Sequence, residues 1–285
     1  MSHLEFSIYS TPGDQHSHEI LVAYLYDIGF DRFQDSGGAV HAYIAKDQFS
    51  WKQFENTINT LKIRGIDVVY KYLEMDEKNW NEEWKKNYDP VVIDNQLLVR
   101  APFHPPYDDF PHTLIIEPKM SFGTGHHQTT RLILKVMMDL NFKDKKVLDM
   151  GCGTGILGIF ASKLGAGSVV GVDIDNWAYE NALENISRNG IKNMEVMLGD
   201  ISVVKDEEFD IVLANINRRV ILSDMPDYGT LLTEKGTIIL SGFLSEDVQS
   251  ILDSAYSNNL LHTATLEEES WLVLSFVKSQ NLQPG

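Results

Sequence analysis

The second half of the chain alternates short apolar runs with helical stretches, and this alternation constrains the fold more than any other feature. From about Pro118 onwards the apolar runs are "KKVLDM", "SVVGVDI", "MEVML", "FDIVLAN" and "GTIILSG". Such a pattern predicts a parallel sheet with helices on both faces, as in Rossmann-like domains. The final segment, "HTATLEEESWLVLSFVK", has no room for a crossover helix between its two strand-like halves. We therefore expect a terminal antiparallel hairpin and a seven-stranded sheet.

The first 75 residues follow a different order. A strand-like run, "LEFSIYS", is followed by a helix, two strands, the helical segment "SWKQFENTINTLKIRG" and a last strand, "IDVVYKYLEM". This order is that of a ferredoxin-like α+β domain. No residues there form a recognisable catalytic cluster, and we expect His16 and His18 to be solvated because no further metal-ligating residues accompany them.

Residues 76–117 are interpreted as a connector. "DEKNWNEEWKKNY" places Trp80, Trp84 and Tyr88 at four-residue steps, which would form one face of a short helix packing between domains. Several prolines then forbid regular helix. The predicted organisation is therefore a ferredoxin-like domain at 1–75, a connector at 76–117 and a catalytic domain at 118–285.

Charge and composition restrict the partners. With 41 acidic and 24 basic residues the net charge is −17, which disfavours nucleic acid and attracts basic macromolecules. No apolar run approaches the roughly 20 residues that span a bilayer. The first residues lack the basic start and apolar core of a signal peptide, and the single cysteine suits a reducing compartment. We expect a cytoplasmic protein with no membrane partner.

The segment "VLDMGCGTGILG" breaks from a buried strand into glycines just where a helix begins. Glycines such as Gly151 and Gly153 let the backbone approach a ligand, and the following helix offers free N–H groups. The segment also contains a G-x-G-x-x-G match, the fingerprint of dinucleotide-binding proteins, although that match alone is weak. Cys152, inside the turn, is expected to be buried and inert.

Acidic residues around this turn favour a cationic nucleoside over a dinucleotide. Asp149 precedes the glycines, Asp173 ends the next strand at a position suited to ribose hydroxyls, and Asp200 follows the strand after that. S-Adenosylmethionine combines ribose, adenine, a sulfonium and an amino group, so it fits this set. Asn215 ends the fourth strand, where it could orient the cofactor or an amine. The Pro-Pro-aromatic continuation typical of adenine and amide methyltransferases is missing there, which disfavours a flat, conjugated nitrogen acceptor and leaves an aliphatic amine open.

The stretch "FGTGHHQTT", at 122–130, precedes the first helix of the catalytic domain. We interpret it as a flexible cofactor lid, in which Thr129 and Thr130 cap the helix and donate hydroxyls to the cofactor. No Gly-Lys-Ser/Thr follows, which excludes a P-loop. His126 and His127 lack further ligands at zinc spacing, so we predict no metal site.

In this order and spacing, "FGTGHHQTT", "VLDMGCGTGIL", "GVDID" and "LANI" resemble the PrmA-type methyltransferases, which modify large-subunit ribosomal protein L11. The resemblance extends to the connector and the front domain. It implies cofactor contacts at Thr130, Gly151, Asp173 and Asn215, methylation of lysine side chains and an N-terminal amine, and substrate recognition by the front domain. Gln128 stands where the family commonly has proline, and Asn217 where it usually has leucine.

The functional hypothesis is therefore methyl transfer from S-adenosylmethionine to amine nitrogens of ribosomal protein L11. The cofactor-binding residues predicted for it are Thr130, Gly151, Gly153, Asp173, Asp200 and Asn215. Because a free lysine has a pKa of about 10.4, the site must bind it deprotonated or remove its proton, and the sequence identifies no general base. Two alternatives remain open: a nicotinamide-dependent oxidoreductase and a non-catalytic binding module.

Overall fold

The computed structural model describes residues 3–36, 38–75, 88–107, 109–119 and 122–279. The chain divides into two compact units, Met1–Asp89 and Pro90–Gly285. The predicted connector helix with Trp80 and Trp84 lies outside the described residues. Within the described ranges, no helix has both the length and the apolarity to span a membrane.

The described part of the front unit is a four-stranded antiparallel sheet with two helices. Its elements are β1 (His3–Thr11), α1 (Gln15–Tyr26), β2 (Arg32–Ser36), β3 (Ala39–Ala45), α2 (Trp51–Ile63) and β4 (Asp67–Met75). The strand order β2-β3-β1-β4 confirms the ferredoxin-like prediction. Alternate residues of β1, namely Leu4, Phe6 and Ile8, face the core under the helices. The prediction for His18 was wrong: the ring is buried and its Nδ1 lies 2.5 Å from Asp35.

The boundary between the two units, at Asp89 and Pro90, lies inside the segment predicted to be a connector. Residues 90–117 belong to the second unit and form a small sheet from β5 (Val91–Ile93), β6 (Leu97–Arg100) and β7 (His112–Ile115). Strand β6 pairs antiparallel with β5 and parallel with β7. The prolines that suggested a connector lie in the loop between β6 and β7, where they interrupt no strand.

The remainder forms the predicted seven-stranded sheet. Its strands are β8 (Lys146–Met150), β9 (Ser168–Asp173), β10 (Met194–Leu198), β11 (Phe209–Asn215), β12 (Leu232–Ser241), β13 (Leu260–Glu268) and β14 (Trp271–Lys278). The helices are α3 (Gln128–Met138), α4 (Ile156–Lys163), α5 (Asn176–Arg188), α6 (Arg218–Leu231) and α7 (Val248–Ser257). Strands β8 to β12 are parallel, and β13 and β14 form the predicted antiparallel hairpin, so the order is β10-β9-β8-β11-β12-β14-β13.

Two apolar cores cover the two faces of this sheet, because successive strand residues point to opposite sides. On one face, Val147 and Val169 pack with residues of α3, α4 and α5. On the other face, Leu148 and Val170 pack with residues of α6 and α7. The chain order of the strands reverses between β8 and β11, and in such sheets ligands bind beside the carboxyl ends of the strands at this point.

Candidate active site

The glycine turn after β8 requires glycine for two reasons. Gly151, Gly153 and Gly155 have φ angles of +67°, +54° and +77°, a region that side chains rarely adopt. A Cβ on Gly153 would lie 2.3 Å from the carbonyl oxygen of Phe122, and one on Gly151 would lie 2.2 Å from the Ile216 side chain. The turn is therefore closely packed on both sides, and the N–H groups of Gly153 and Thr154 donate to Asp173 and to the carbonyl of Phe122.

Asp149 lies beneath this turn. The residue is 1% exposed, and its Oδ2 accepts a hydrogen bond from the backbone N–H of Gly158 at 2.8 Å. Its other oxygen, Oδ1, is buried and has no hydrogen-bond partner among the described residues. Burial is the main cause that raises the pKa of Asp149 to about 7; the bond from Gly158 opposes the shift and the nearby carboxylate of Asp173 adds to it.

Asp173 ends β9 at the carboxyl edge and already has backbone partners. Its Oδ2 accepts from the N–H of Gly153 at 2.8 Å, and its Oδ1 accepts from the N–H of Asp175 at 3.0 Å. Each carboxylate oxygen has a second lone pair, so Asp173 can still accept from the ribose hydroxyls for which the sequence suggested it. It therefore joins the glycine turn to the loop that begins α5.

Asp200 caps a short 3₁₀ helix, Ile201–Val204. The hydroxyl and the N–H of Ser202 both donate to its Oδ1, and these bonds lower the pKa of Asp200. Two apolar side chains nearby in sequence, Ile174 after Asp173 and Leu198 before Asp200, are 77% and 49% exposed. Strands β9 and β10 pair with Asp173 opposite Leu198, so these exposed side chains lie at the same edge.

Thr130 and Asn215 come together although 85 residues separate them. The Asn215 Nδ2 donates to Thr130 Oγ1 at 3.3 Å. Thr130 is fully buried in the first turn of α3, and Asn215 ends β11 beside the glycine turn. The Asn215 carboxamide oxygen is buried and has no partner among the described residues. This oxygen is an unused hydrogen-bond acceptor at the carboxyl edge of the sheet.

The stretch at 122–130 contacts the glycine turn directly. The carbonyl of Phe122 accepts from the backbone N–H of Thr154 at 2.9 Å, and the carbonyl of Gly123 accepts from the Thr154 hydroxyl at 2.6 Å. The Phe122 side chain remains 52% exposed. Thr154 was not predicted, and its only sequence signal is its place between the second and third glycines of the turn.

Helix α3 is capped differently from the prediction. The N-cap residue is His127, whose Nδ1 accepts from the N–H of Thr129 at 3.3 Å, and Thr129 and Thr130 lie buried inside the first turn. Burial lowers the pKa of His127 to about 4, so the ring is neutral and Nδ1 is free to accept. Within the described parts of the chain, no three His, Cys, Asp or Glu residues cluster as metal ligands.

Other residues of interest have structural partners. Cys152 is buried, and burial raises the pKa of its thiol well above the ordinary value, as expected for an inert residue. Gln128 donates from Nε2 to Glu269 at 2.6 Å, which ties α3 to the turn of the terminal hairpin. Asn217 caps α6 by accepting from the N–H of Val220. Both departures from the family pattern therefore have local roles.

Comparisons with known proteins agree with this arrangement. Residues 15–279 match the family model described as ribosomal protein L11 methyltransferase (PrmA). A protein of Bacteroides thetaiotaomicron named ribosomal protein L11 methyltransferase is 37% identical over 97% of this chain and 99% of its own length. A protein of the same name from Porphyromonas gingivalis is 40% identical over 91% of this chain and 90% of its own length.

A solved structure is also similar. The ribosomal protein L11 methylase of Lactobacillus delbrueckii subsp. bulgaricus superposes with a TM-score of 0.61 and is 27% identical. The match covers 67% of this chain and 99% of the other. The glycine turn, the strand-end acids and the order of the seven strands are thus accompanied by near full-length sequence similarity, and the chain belongs to the ribosomal protein L11 methyltransferase (PrmA) family.

Proposed function

We propose that this protein transfers methyl groups from S-adenosylmethionine to lysine side chains and the N-terminal amine of large-subunit ribosomal protein L11. The observation that carries this proposal is the Thr130–Asn215 pair, whose unused carboxamide oxygen is buried at the carboxyl edge of the sheet beside the glycine turn. A methyl acceptor that bears N–H groups needs such an oxygen, and membership of the family gives the reaction class.

The residues at the carboxyl edge fit S-adenosylmethionine. The methionine part would lie beside the turn formed by Gly151 and Gly153, whose φ angles glycine adopts readily. Asp173 has lone pairs for the ribose hydroxyls, and the exposed Ile174 and Leu198 offer apolar surface for the adenine. Asp200 lies on the same side for the adenine amino group. When bound, S-adenosylmethionine supplies an electrophilic methyl group attached to a positively charged sulfur.

In the proposed reaction the chain contributes mainly positioning. A neutral amine attacks the methyl carbon with its lone pair as the carbon–sulfur bond breaks, and the new nitrogen–carbon bond leaves an ammonium that loses its proton to water. The Asn215 Oδ1 accepts an N–H bond near the reacting centre, and Thr130 fixes the amide orientation through Nδ2. Holding two reactants in line supplies much of the rate in such reactions. The buried acid Asp149 bonds to α4 and is not assigned as a base.

Asn215→Ala tests this assignment because it removes both the donor and the acceptor. We expect methyl transfer to L11 to fall by at least about tenfold, since a buried amine N–H then lacks its partner. Measuring the cofactor dissociation constant beside the turnover rate separates the two uses of the amide. A higher dissociation constant assigns the oxygen to the cofactor, and a lower turnover alone assigns it to the substrate amine.

Asn141→Ala is the matched control, because Asn141 is an exposed loop residue whose side chain bonds only locally to Lys143. It should leave both constants unchanged. If Asn215→Ala changes neither turnover nor cofactor affinity relative to this control, the amide has no part in the reaction and the proposed site is wrong.

We further infer that the front unit recognises L11 and that the enzyme acts in the cytoplasm without binding nucleic acid or membrane. The front unit has its own apolar core and contains none of the predicted cofactor residues. The net charge of −17 favours a basic protein substrate over a phosphate backbone.

A further inference from the structure

A cavity of about 400 Å³ lies in the second unit, at the far ends of the helices that start beside the glycine turn. Lys163 is the last residue of α4 and Arg188 the last of α5, and both line this cavity together with Arg100 at the end of β6. Helix α4 begins at the carboxyl edge and has eight residues, so it separates the cavity from the glycine turn by about 12 Å. The cavity is therefore distinct from the candidate active site.

Three cationic side chains meet here in a strongly acidic protein, and the described residues that line the cavity include no carboxylate. The charge of Arg188 is offset by ion pairs with two carboxylates that do not line the cavity, Glu117 at 3.0 Å and Glu184 at 3.8 Å. Arg100 and Lys163 have no carboxylate partner among the described residues, so the described part of the cavity carries about two uncancelled positive charges.

Arg100 contacts oxygen atoms but no carboxylate among the described residues. Its terminal nitrogen donates to the carbonyl oxygens of Ala101 and His104, at 3.3 and 3.1 Å. Its Nε is buried and has no hydrogen-bond partner in the described parts of the chain. A buried donor without a partner costs free energy, and a ligand could recover it only if the side chain shifted to expose this nitrogen.

Lys163 is partly buried, and no carboxylate among the described residues offsets its charge. Partial burial lowers the pKa of its ammonium, and no carboxylate among the described residues opposes the shift. Cations in the last turn of a helix are favoured by the helix dipole, which accounts for Lys163 and Arg188 as isolated residues. It does not account for Arg100, which ends a strand, nor for the convergence of all three on one cavity.

We propose that this cavity binds the phosphate group of a small phosphomonoester. Such a group carries close to two negative charges near neutral pH, which matches the charges of Arg100 and Lys163, and guanidinium groups bind phosphate oxygens in pairs. The volume is that of a small-molecule site. Tyr107 and Phe110 also line the cavity and provide aromatic surface for the organic part of the ligand.

Calorimetric titration of the full-length protein with inorganic phosphate and with phenyl phosphate, at constant ionic strength, tests the proposal. Both should bind saturably at one site, and phenyl phosphate should bind more tightly because its ring contacts Tyr107 and Phe110. Lys163→Gln should weaken both by about fivefold or more, as expected for loss of a charge-assisted bond. Arg100→Gln should do the same, and Lys163→Gln remains informative if loss of the Arg100 bonds disturbs folding.

Lys235→Gln is the control, because it removes the same charge from an exposed position that does not line the cavity. It should leave phosphate affinity unchanged, and saturating S-adenosylhomocysteine should also leave it unchanged. The proposal is overturned if neither phosphate binds up to millimolar concentration, if Lys163→Gln behaves like the control, or if S-adenosylhomocysteine competes with phosphate.

Discussion

Asp149 shows how one buried carboxyl group makes stability depend on pH. Its ordinary pKa is 3.8 and burial raises it to about 7 in the folded chain. The folded state therefore binds a proton more tightly than the unfolded state. The stabilisation is fully present below about pH 3.8, is lost as the pH rises toward 7, and changes no further above that.

Asp149→Asn should remove this pH dependence, because the amide oxygen can still accept from Gly158 while no proton is exchanged. Relative to the parent protein, the variant should gain stability with rising pH, by up to about 1.4 kcal/mol per pH unit between roughly pH 4 and 7. Urea unfolding at several pH values measures the difference. Asp206→Asn, at an exposed position, is the control, and identical pH profiles for Asp149→Asn and the parent would refute the assignment.

Asp173→Ala should weaken S-adenosylmethionine binding by at least about tenfold, because it removes charge-assisted bonds to the ribose hydroxyls. The alanine also removes the acceptor of the Gly153 N–H, so a looser glycine turn adds to the loss. Calorimetry gives the affinity, and circular dichroism shows whether the protein stays folded. Asp175→Asn keeps its cap on Trp177 and should bind normally. An Asp173→Ala variant that binds as tightly as this control would show that Asp173 is only structural.

For single residues, the sequence predicted which side chains lie near the carboxyl edge of the sheet better than it predicted their contacts. Thr130 and Asn215 do meet, but the helix cap is His127, because its ring nitrogen reaches the N–H of Thr129 when the ring is neutral. Asp149 was expected to face a cationic ligand, whereas it bonds to α4 beneath the turn. Such contacts depend on side-chain rotamers and burial, which one-dimensional spacing does not contain.

Among the elements, the stretch at 122–130 is the one expected to change with ligand. Two hydrogen bonds to Thr154 hold its start against the glycine turn, and Phe122 is exposed to protease. Saturating S-adenosylmethionine should slow chymotrypsin cleavage after Phe122, since a ligand bound at the turn would stabilise the packing of this stretch against the turn.

Thr154→Val keeps the side-chain shape but removes the hydroxyl bond to Gly123, so cleavage without cofactor should become faster. Thr230→Val is the control, because it removes a similar hydroxyl bond at an exposed position of helix α6. If cofactor has no effect on the cleavage rate, and Thr154→Val is cut no faster than the control, the segment is not a lid.

The order of strands and helices was predicted correctly where the apolar residues were strongly periodic. The prediction missed β5, β6 and β7. These strands have only three or four residues each, too few to establish a period. A usable signal was present in "VVIDNQLLV", where Asp94 and Asn95 separate two apolar runs and adopt positive φ angles of 48° and 54°. That is a hairpin signal, since these residue types tolerate the left-handed region.

For the whole molecule, the division into two units leads to a test of substrate recognition. A fragment beginning at Asp76 keeps β5 to β14 and every predicted cofactor residue, so it should bind S-adenosylmethionine with near-native affinity. It should lose nearly all methylation of intact L11, because the front unit no longer holds the substrate. Calorimetry and a methylation assay on the same preparation measure both. Full activity on L11 would contradict the recognition role, and loss of cofactor binding would assign the front unit to stability.

The reaction itself is tested most directly by mass spectrometry of unmethylated L11 after incubation with the full-length protein and S-adenosylmethionine. We expect added methyl groups on L11, mapped by peptide analysis to lysine side chains and the N-terminal amine, and a strong reduction with Asn215→Ala. An unchanged mass of L11 while the protein binds the cofactor at saturation, or methyl groups mapped to atoms other than amine nitrogens, would contradict the proposed reaction.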